Sequence, residues 1–496
     1  MRKSFPMSAI PFNALKAPIK PPINSITVPS WMIWLQCFAF AILYGIWAVP
    51  ETILIRHVCL ILGGLIGIYE IYVYRDSLLK RAALPIYLIA ILFIWTIIQF
   101  LFIMPNPALQ WEELMGTWKR TSIGFIFALG FGLALASQVQ DEHHGRGRRA
   151  PYWGLIYIGF MLPTLIYLLK WVLTFKAQQW GIVAPEYLKL HYGSLPFYMP
   201  KTVYVAFCLP LFAISLGQIS LQIHEQQWRP WTLILNLGAC AAVLFICYAE
   251  NIKNGVAYAL MLTIIFCAAL LLRYRSRIRA REVILIFVLI ASLSFFALDH
   301  LKKNDSWSTL FADMRVAVQV DRYEHWKFNG ERGYPNNELG KMVSVTNYER
   351  IAWGIAGTEL LLKNPLGYGL IERSFGHLAK EQWPESKLHQ NHSGWLDLAL
   401  GLGLPGMALI LGALAIALWR CIHSPSPIAY FGCWLLLSLL LLWCTTEVSQ
   451  RVYFDWLIFA IVWVSALSMG LMSPNTPVIP PTPDKIEQDK ESPAPI

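Results

Sequence analysis

Charge is scarce in this chain. Only 14% of its residues are Asp, Glu, Lys or Arg, while 56% are hydrophobic; a soluble domain carries about 25% charged residues. A water-soluble enzyme is excluded, and an integral membrane protein is expected. Cysteine is present but badly placed for two further classes. The nine cysteines (Cys37, Cys59, Cys208, Cys240, Cys247, Cys267, Cys421, Cys433 and Cys444) all fall within or at the edges of apolar runs, and none forms a Cys-x-x-Cys pair. That argues against a disulfide framework and against a zinc site. A cleavable signal pattern is missing from the first 30 residues, so the first apolar span is expected to be a retained anchor. No repeat with a period of 20–50 residues is evident. The net charge of +10 comes in short clusters beside apolar runs with no recognition motif. This reads as membrane topology and not as nucleic-acid binding.

Membrane crossing takes about 20 apolar residues. By that rule the spans run approximately Trp31–Ala48, Ile53–Tyr74, Leu84–Ile103, Ser122–Val139, Tyr152–Phe175, Thr202–Leu221, Trp231–Tyr248, Val256–Leu272, Val283–Leu298, Gly406–Leu418, Ala429–Cys444 and Trp456–Leu471. The basic residues fall in alternate connections: Arg2, Lys3, Lys16 and Lys20, then Arg75, Lys80 and Arg81, then Arg146, Arg148 and Arg149, then Arg229, then Arg273, Arg275, Arg277, Arg279 and Arg281, then Arg420. With twelve spans every one lies on a single side, as the positive-inside rule requires. The expected fold is an all-α integral membrane protein of about twelve transmembrane helices with one large, helical outer loop. Nine helices occupy residues 1–298, the loop 299–405, three helices 406–472 and a disordered tail 473–496. Both termini are expected to be cytoplasmic. Arg56, His57 and Lys170 are near-interface charges that snorkelling explains. Glu112-Glu113, beside Trp111 and Trp118, is expected to be a solvated interfacial pair, and His191 lies in an aromatic, basic outer segment.

Within the loop, Trp307, Leu310, Phe311, Met314 and Val318 recur at helical spacing, predicting a surface helix over Ser306–Val320. A second helix fits Asn347–Lys363, with Asn347 as N-cap, an apolar side from Ile351, Ile355, Leu360 and Leu362, and Asn364-Pro365 as its stop. Arg350 would then lie in the first turn, where the helix dipole disfavours a cation. Local violations of this kind tend to mark functional sites, although a surface salt bridge with Glu349 or Asp321 would serve as well. A third helix should start at Ser393. His392 precedes that cap, where nearby positive charge is disfavoured, a setting that suits a general base. A histidine that only hydrogen-bonds at the interface is the bland alternative, and His389 is a weaker candidate still.

These residues resemble a known family. His392-Ser393-Gly394-Trp395-Leu396, followed by Gly403-Leu404-Pro405-Gly406, is similar to the His-Asn-x-x-Leu…Gly-Leu-x-Gly signature of the O-antigen ligase/O-antigen polymerase superfamily. Arg350-Ile351-Ala352-Trp353 and Asn364-Pro365-Leu366-Gly367-Tyr368-Gly369 resemble its Arg-x-x-Trp…Asn-Pro-x-Gly-x-Gly element. The similar block covers Asn347–Gly406. The resemblance implies transfer of a glycan from an undecaprenyl-diphosphate carrier to an acceptor hydroxyl, at the periplasmic face of a bacterial inner membrane, without metal or other cofactor. It implies that His392 is the essential histidine and that Arg350 binds the diphosphate. Two places depart from the pattern. Ser393 stands where Asn is common. The hairpin that usually carries a second arginine reads Lys253-Asn254-Gly255, so Lys253 is the nearest cation, with Arg322 or Arg315 as substitutes. His389 and Ser393 are possible supporting residues.

The implied acceptor is lipid A–core, as in the ligases; another lipid-linked repeat unit or a protein hydroxyl are the alternatives, and membrane lipids are the surroundings. A metal-dependent glycosyltransferase is disfavoured because no Asp-x-Asp occurs in the chain. A transporter is disfavoured because neither paired inverted repeats nor broken helices are evident.

Overall fold

The computed structural model describes residues 28–143, 152–190, 196–274, 280–303, 307–424, 426–444 and 451–469. The basic residues before the first span, Arg146, Arg148, Arg149, His191, Arg275, Arg277, Arg279, Ser306 and the tail from Ser473 lie outside them.

The described residues are all-helical. The helices are α1 Ser30–Ile46, α2 Ile53–Val73, α3 Arg75–Leu78, α4 Leu84–Phe102, α5 Pro107–Glu113, α6 Lys119–His143, α7 Tyr152–Phe175, α8 Lys201–Glu225, α9 Pro230–Ala249, α10 Lys253–Tyr274, α11 Ala280–Lys303, α12 Leu310–Ala317, α13 Val345–Lys363, α14 Ser374–Gln382, α15 Gly394–Ile422, α16 Pro427–Leu442 and α17 Arg451–Met469. Each of the twelve expected spans falls on one of these helices. Among the described residues nine helical runs are long and apolar enough to cross a membrane; α1 and α16 are apolar but shorter, and α11 is not among the nine. Composition dictates this outcome, since an apolar segment in lipid must satisfy its backbone internally and a helix does so.

Two helices form the middle of the bundle. The apolar windows of α8 and α17 are 89% and 94% buried. The two are enclosed by neighbours, while α2, α4 and α9 keep one face outward. Aromatic rings fill the centre: Phe40 of α1 lies 4.9 Å from Trp463 of α17, which stacks on Phe131 of α6. The α6–α17 seam also buries charge. Arg120 donates to Asp455, and Thr121 donates to the same carboxylate at 2.5 Å. Glu113, at the end of α5, is buried and accepts from the Ile371 backbone N–H at 2.8 Å, while Glu112 is exposed. The expected solvated pair is therefore split: only Glu112 is solvated.

The segment between α11 and α15 has its own core, in which Trp326, Tyr348, Ala352, Trp353, Ala356, Leu360, Phe375 and Leu388 are packed together. Three local expectations are corrected here. The first helix, α12, is shorter than expected, Leu310–Ala317, and it keeps the apolar stripe of a surface helix outward: Phe311 is 74% exposed, while Ala312, Asp313 and Val316 are buried. Asp313 is turned inward because it collects donors, from Thr309 at 2.8 Å, Asn337 at 2.9 Å and Asn347 at 2.9 Å. The second helix, α13, starts at Val345 with Ser344 as its cap. Asn347 thus lies inside the first turn and serves Asp313. The buried side of α13 is Tyr348, Ala352, Ala356 and Leu360, while Leu362 is exposed. Small residues at this spacing let the helix sit deep among the tryptophans.

The third helix and the tenth span form one element, α15, broken at Gly403 (φ 71°, ψ 177°). This is a broken helix that the sequence reading did not foresee. Only glycine takes such a backbone without strain, and a Cβ there would lie 2.4 Å from the Leu366 carbonyl carbon. The Asn364–Gly369 turn docks into the break. Tyr368 N–H donates to Leu400 O at 2.8 Å, Gly369 N–H to Gly401 O at 2.7 Å and Leu404 N–H to Pro365 O at 2.8 Å. From the bundle, Trp95 donates to Leu402 O and Gln99 to Leu366 O, both at 2.7 Å.

Candidate functional site

The site is assembled on one face of α13. Residues three and four apart on a helix are neighbours, so Thr346, Arg350, Trp353 and Gly357 form a row. Each receives a group from elsewhere in the chain.

Thr346 and Arg350 receive the α9–α10 hairpin. Asn251 turns the chain there at φ 51°. A Cβ on Gly255 would lie 2.5 Å from Cys247 Sγ, so the two helices close tightly. Lys253 Nζ then donates to Thr346 Oγ1 at 3.4 Å, and Arg350 Nη1 donates to Asn254 Oδ1 at 2.8 Å. Arg350 lies in the second turn of α13, so the expected conflict with the helix dipole does not arise. The arginine is marked instead by its long-range partner on the hairpin.

Trp353 and Gly357 receive the His392 loop. The imidazole of His392 lies over the Trp353 ring, with centroids 5.0 Å apart and planes 19° from parallel. Trp353 is itself fixed, its indole N–H donating to Trp326 O at 2.9 Å. His392 adopts φ 61°, a left-handed conformation uncommon for a residue with a side chain. Strain of this kind needs surroundings that over-determine it, and Asn391 supplies them. Its backbone N–H donates to Asp397 Oδ1 at 3.0 Å, and its side chain donates to the Trp353 carbonyl. A Cβ on Gly357 would lie 2.5 Å from Asn391 Nδ2; glycine is what lets the asparagine reach the helix backbone. Ser393 follows as the N-cap of α15, as expected, accepting from Asp397 N–H at 2.9 Å through its carbonyl; its side chain makes no cap bond.

Beside this row stands a carboxylate. Glu349 is buried and accepts from the Tyr334 hydroxyl at 2.5 Å. Burial pushes its carboxyl above the usual range, while the Tyr334 bond and the His392 charge pull it back. Burial, and next the same carboxylate, push the Tyr334 hydroxyl up.

The remaining candidates are placed elsewhere. Arg315 forms a forked ion pair with Glu338 at 2.7 and 2.8 Å on the exposed side of α12. Arg322 is exposed, 5.2 Å from the Tyr323 ring centroid, and donates to Gln319 at 3.4 Å. The His389 side chain is exposed, and its carbonyl accepts from Gly376 N–H at 3.2 Å. The structure brings together His392, Arg350, Lys253 and Ser393, and adds Glu349, Trp353, Asn391, Asp397 and Asn254. Among the described residues no group of three or more His, Cys, Asp or Glu side chains could hold a metal ion.

An apolar cavity of about 510 Å³ lies among α8, α9, α10 and α11, lined by Phe212, Leu237, Leu244, Phe245 and Phe295. Tyr248 lines it where α9 runs into the hairpin.

Fold and site define a multi-pass helical membrane protein whose polar site is built between a tight hairpin and the histidine loop. A family model described as O-antigen ligase matches residues 238–411, and this supports the O-antigen ligase superfamily for the chain. The match spans the hairpin, α13, the His392 loop and the break at Gly403. No curated protein matches the chain.

Proposed function

We propose that the protein is a glycosyltransferase that moves a glycan from undecaprenyl diphosphate to a hydroxyl of lipid A–core, at the periplasmic face of a bacterial inner membrane. On this reading the chain crosses the membrane twelve times and both termini are cytoplasmic. The family match supports ligase-type chemistry in general. The observation that carries the finer reading is the row on α13: Arg350 lies three residues before the tryptophan that holds His392, so a cation and an imidazole meet on one face.

The chemistry follows from charge. As the glycosidic bond breaks, negative charge grows on the leaving diphosphate. Arginine binds phosphate oxygens bidentately, and a preorganised cation stabilises charge as it develops. Arg350 is the main clamp, and Lys253 adds a compact point charge. His392 takes the proton of the acceptor hydroxyl as general base. The acceptor oxygen attacks the anomeric carbon from the side opposite the diphosphate, so the configuration inverts. No step in this scheme calls for a metal. The apolar cavity beside the hairpin offers a place for the carrier's isoprenoid chain.

The test is reconstitution in proteoliposomes with an undecaprenyl-diphosphate glycan and rough lipopolysaccharide. Ligated lipopolysaccharide is the expected product. Longer lipid-linked glycan would identify a polymerase instead, and no transfer by folded protein would overturn the reading. His392→Ala should lose at least the about 10²–10⁴-fold that general-base catalysis contributes. Wild-type transfer by a folded His392→Ala variant would remove the histidine from the chemistry.

A further inference from the structure

We propose that Glu349 is the positioning residue of His392: its carboxylate, steadied by Tyr334, orients the imidazole and offsets the positive charge that the ring acquires on taking the acceptor proton. This rests on the reading of His392 as general base.

Placement carries the proposal. Glu349 is buried, and a glutamate is rarely so unless it is paired. It precedes Trp353 by four residues, which makes the two side chains neighbours on one helix face. Trp353 is the ring over which His392 lies at 5.0 Å. Stacking fixes the plane of the imidazole, and a half-turn flip about the Cβ–Cγ bond keeps that plane while it carries both ring nitrogens to the opposite edge. A carboxylate that reaches the ring selects one of the two flips by accepting one ring N–H. Tyr334 occupies Oε1 of Glu349, and a carboxylate has a second oxygen with acceptor sites of its own. The charge of His392 also acts on this carboxyl, pulling it down against the effect of burial. The neighbouring Arg350 donates to Asn254 of the hairpin.

The division of labour is then defined. The unprotonated ring nitrogen of His392 takes the acceptor proton. The acceptor oxygen bonds to the anomeric carbon, and the electron pair of the breaking C–O bond leaves on the diphosphate. Glu349 takes no proton and touches no substrate. It holds the other ring N–H, as a buried acid does for the histidine of a hydrolytic triad.

The test is Glu349→Gln, which keeps the shape and an oxygen for Tyr334 but removes the charge. We expect kcat to fall roughly 10²-fold or more, toward the about 10⁴-fold of a triad acid, with donor KM within about twofold and an unchanged melting temperature. Glu349→Asp, which keeps the charge, should recover at least about tenfold of that loss. A folded Gln variant with more than half the wild-type kcat overturns the proposal, as does an Asp variant no better than Gln. Should the Gln variant fail to fold, Tyr334→Phe decides: a lower kcat at unchanged donor KM supports the role, and an unchanged kcat overturns it. His392→Ala is assayed alongside. If it is inactive while Glu349→Gln is active, only this inference fails; if it is active, the base reading itself fails.

Discussion

In two places the molecule sets a part-buried arginine near a buried carboxylate, and it treats them differently. In the bundle, Arg120 and Asp455 are paired directly, and Thr121 adds a second donor to the same carboxylate. In the segment between α11 and α15, Arg350 donates to the neutral amide of Asn254 while its sequence neighbour Glu349 accepts from the neutral phenol of Tyr334. The first arrangement cancels charge where it arises, which is what a low-dielectric interior demands. The second sets a neutral amide against the cation and a neutral phenol against the anion, with a strained histidine alongside.

Three substitutions probe that contrast, in order of expected effect. Arg350→Ala should lower transfer by about 10²–10³-fold, the loss seen when one preorganised donor to a developing anion is removed. The loss should appear mainly in donor dependence, and a kinetic matrix of donor against acceptor concentrations would reveal it; an unaltered donor dependence breaks the contrast. Asp455→Asn should act on stability instead. It leaves the part-buried Arg120 without this counter-charge, at a cost approaching the roughly 3 kcal/mol of a broken buried pair, so thermal unfolding in detergent should shift down while the surviving folded protein transfers at near the wild-type rate. A kinetic defect without loss of stability would bring the bundle pair into the mechanism. Arg315→Ala should do least. Its partner Glu338 is exposed, and surface ion pairs contribute about 0–1 kcal/mol. Transfer within about twofold of wild type, measured in the same assay, is the expected result; a larger loss would place α12 at the site.

Much of this was legible from residues alone. Apolar run lengths located the long helices, because lipid leaves the backbone few options. Ser393 as a cap, Asn364-Pro365 as a stop and His392 just before a helix all hold. What failed depended on partners distant in sequence. The inward turn of Asp313 is hidden until the residue is seen collecting donors from the 337–347 stretch. Glu113 reads as surface until the Ile371 backbone is found against it. Arg350 was singled out through a dipole argument that its second-turn position removes; its real partner, Asn254, lies on a hairpin far earlier in the chain. Glu349 and Trp353, four apart on α13, are the pattern that could have suggested a histidine's neighbours. Nothing local, however, pairs either of them with residue 392.

The break at Gly403 divides α15 by allegiance. Its first nine residues, Gly394–Leu402, belong with the histidine loop and span roughly 13 Å at 1.5 Å per residue. The remainder belongs to the bundle. Because the Asn364–Gly369 turn and α4 clamp the joint, that short rod works as a ruler and a dial. Its length fixes how far the imidazole stands from the joint, and its register fixes the direction in which the ring faces, since each residue turns the chain by roughly 100°. The loop's surface can therefore change without moving the histidine, provided that the nine-residue count is kept.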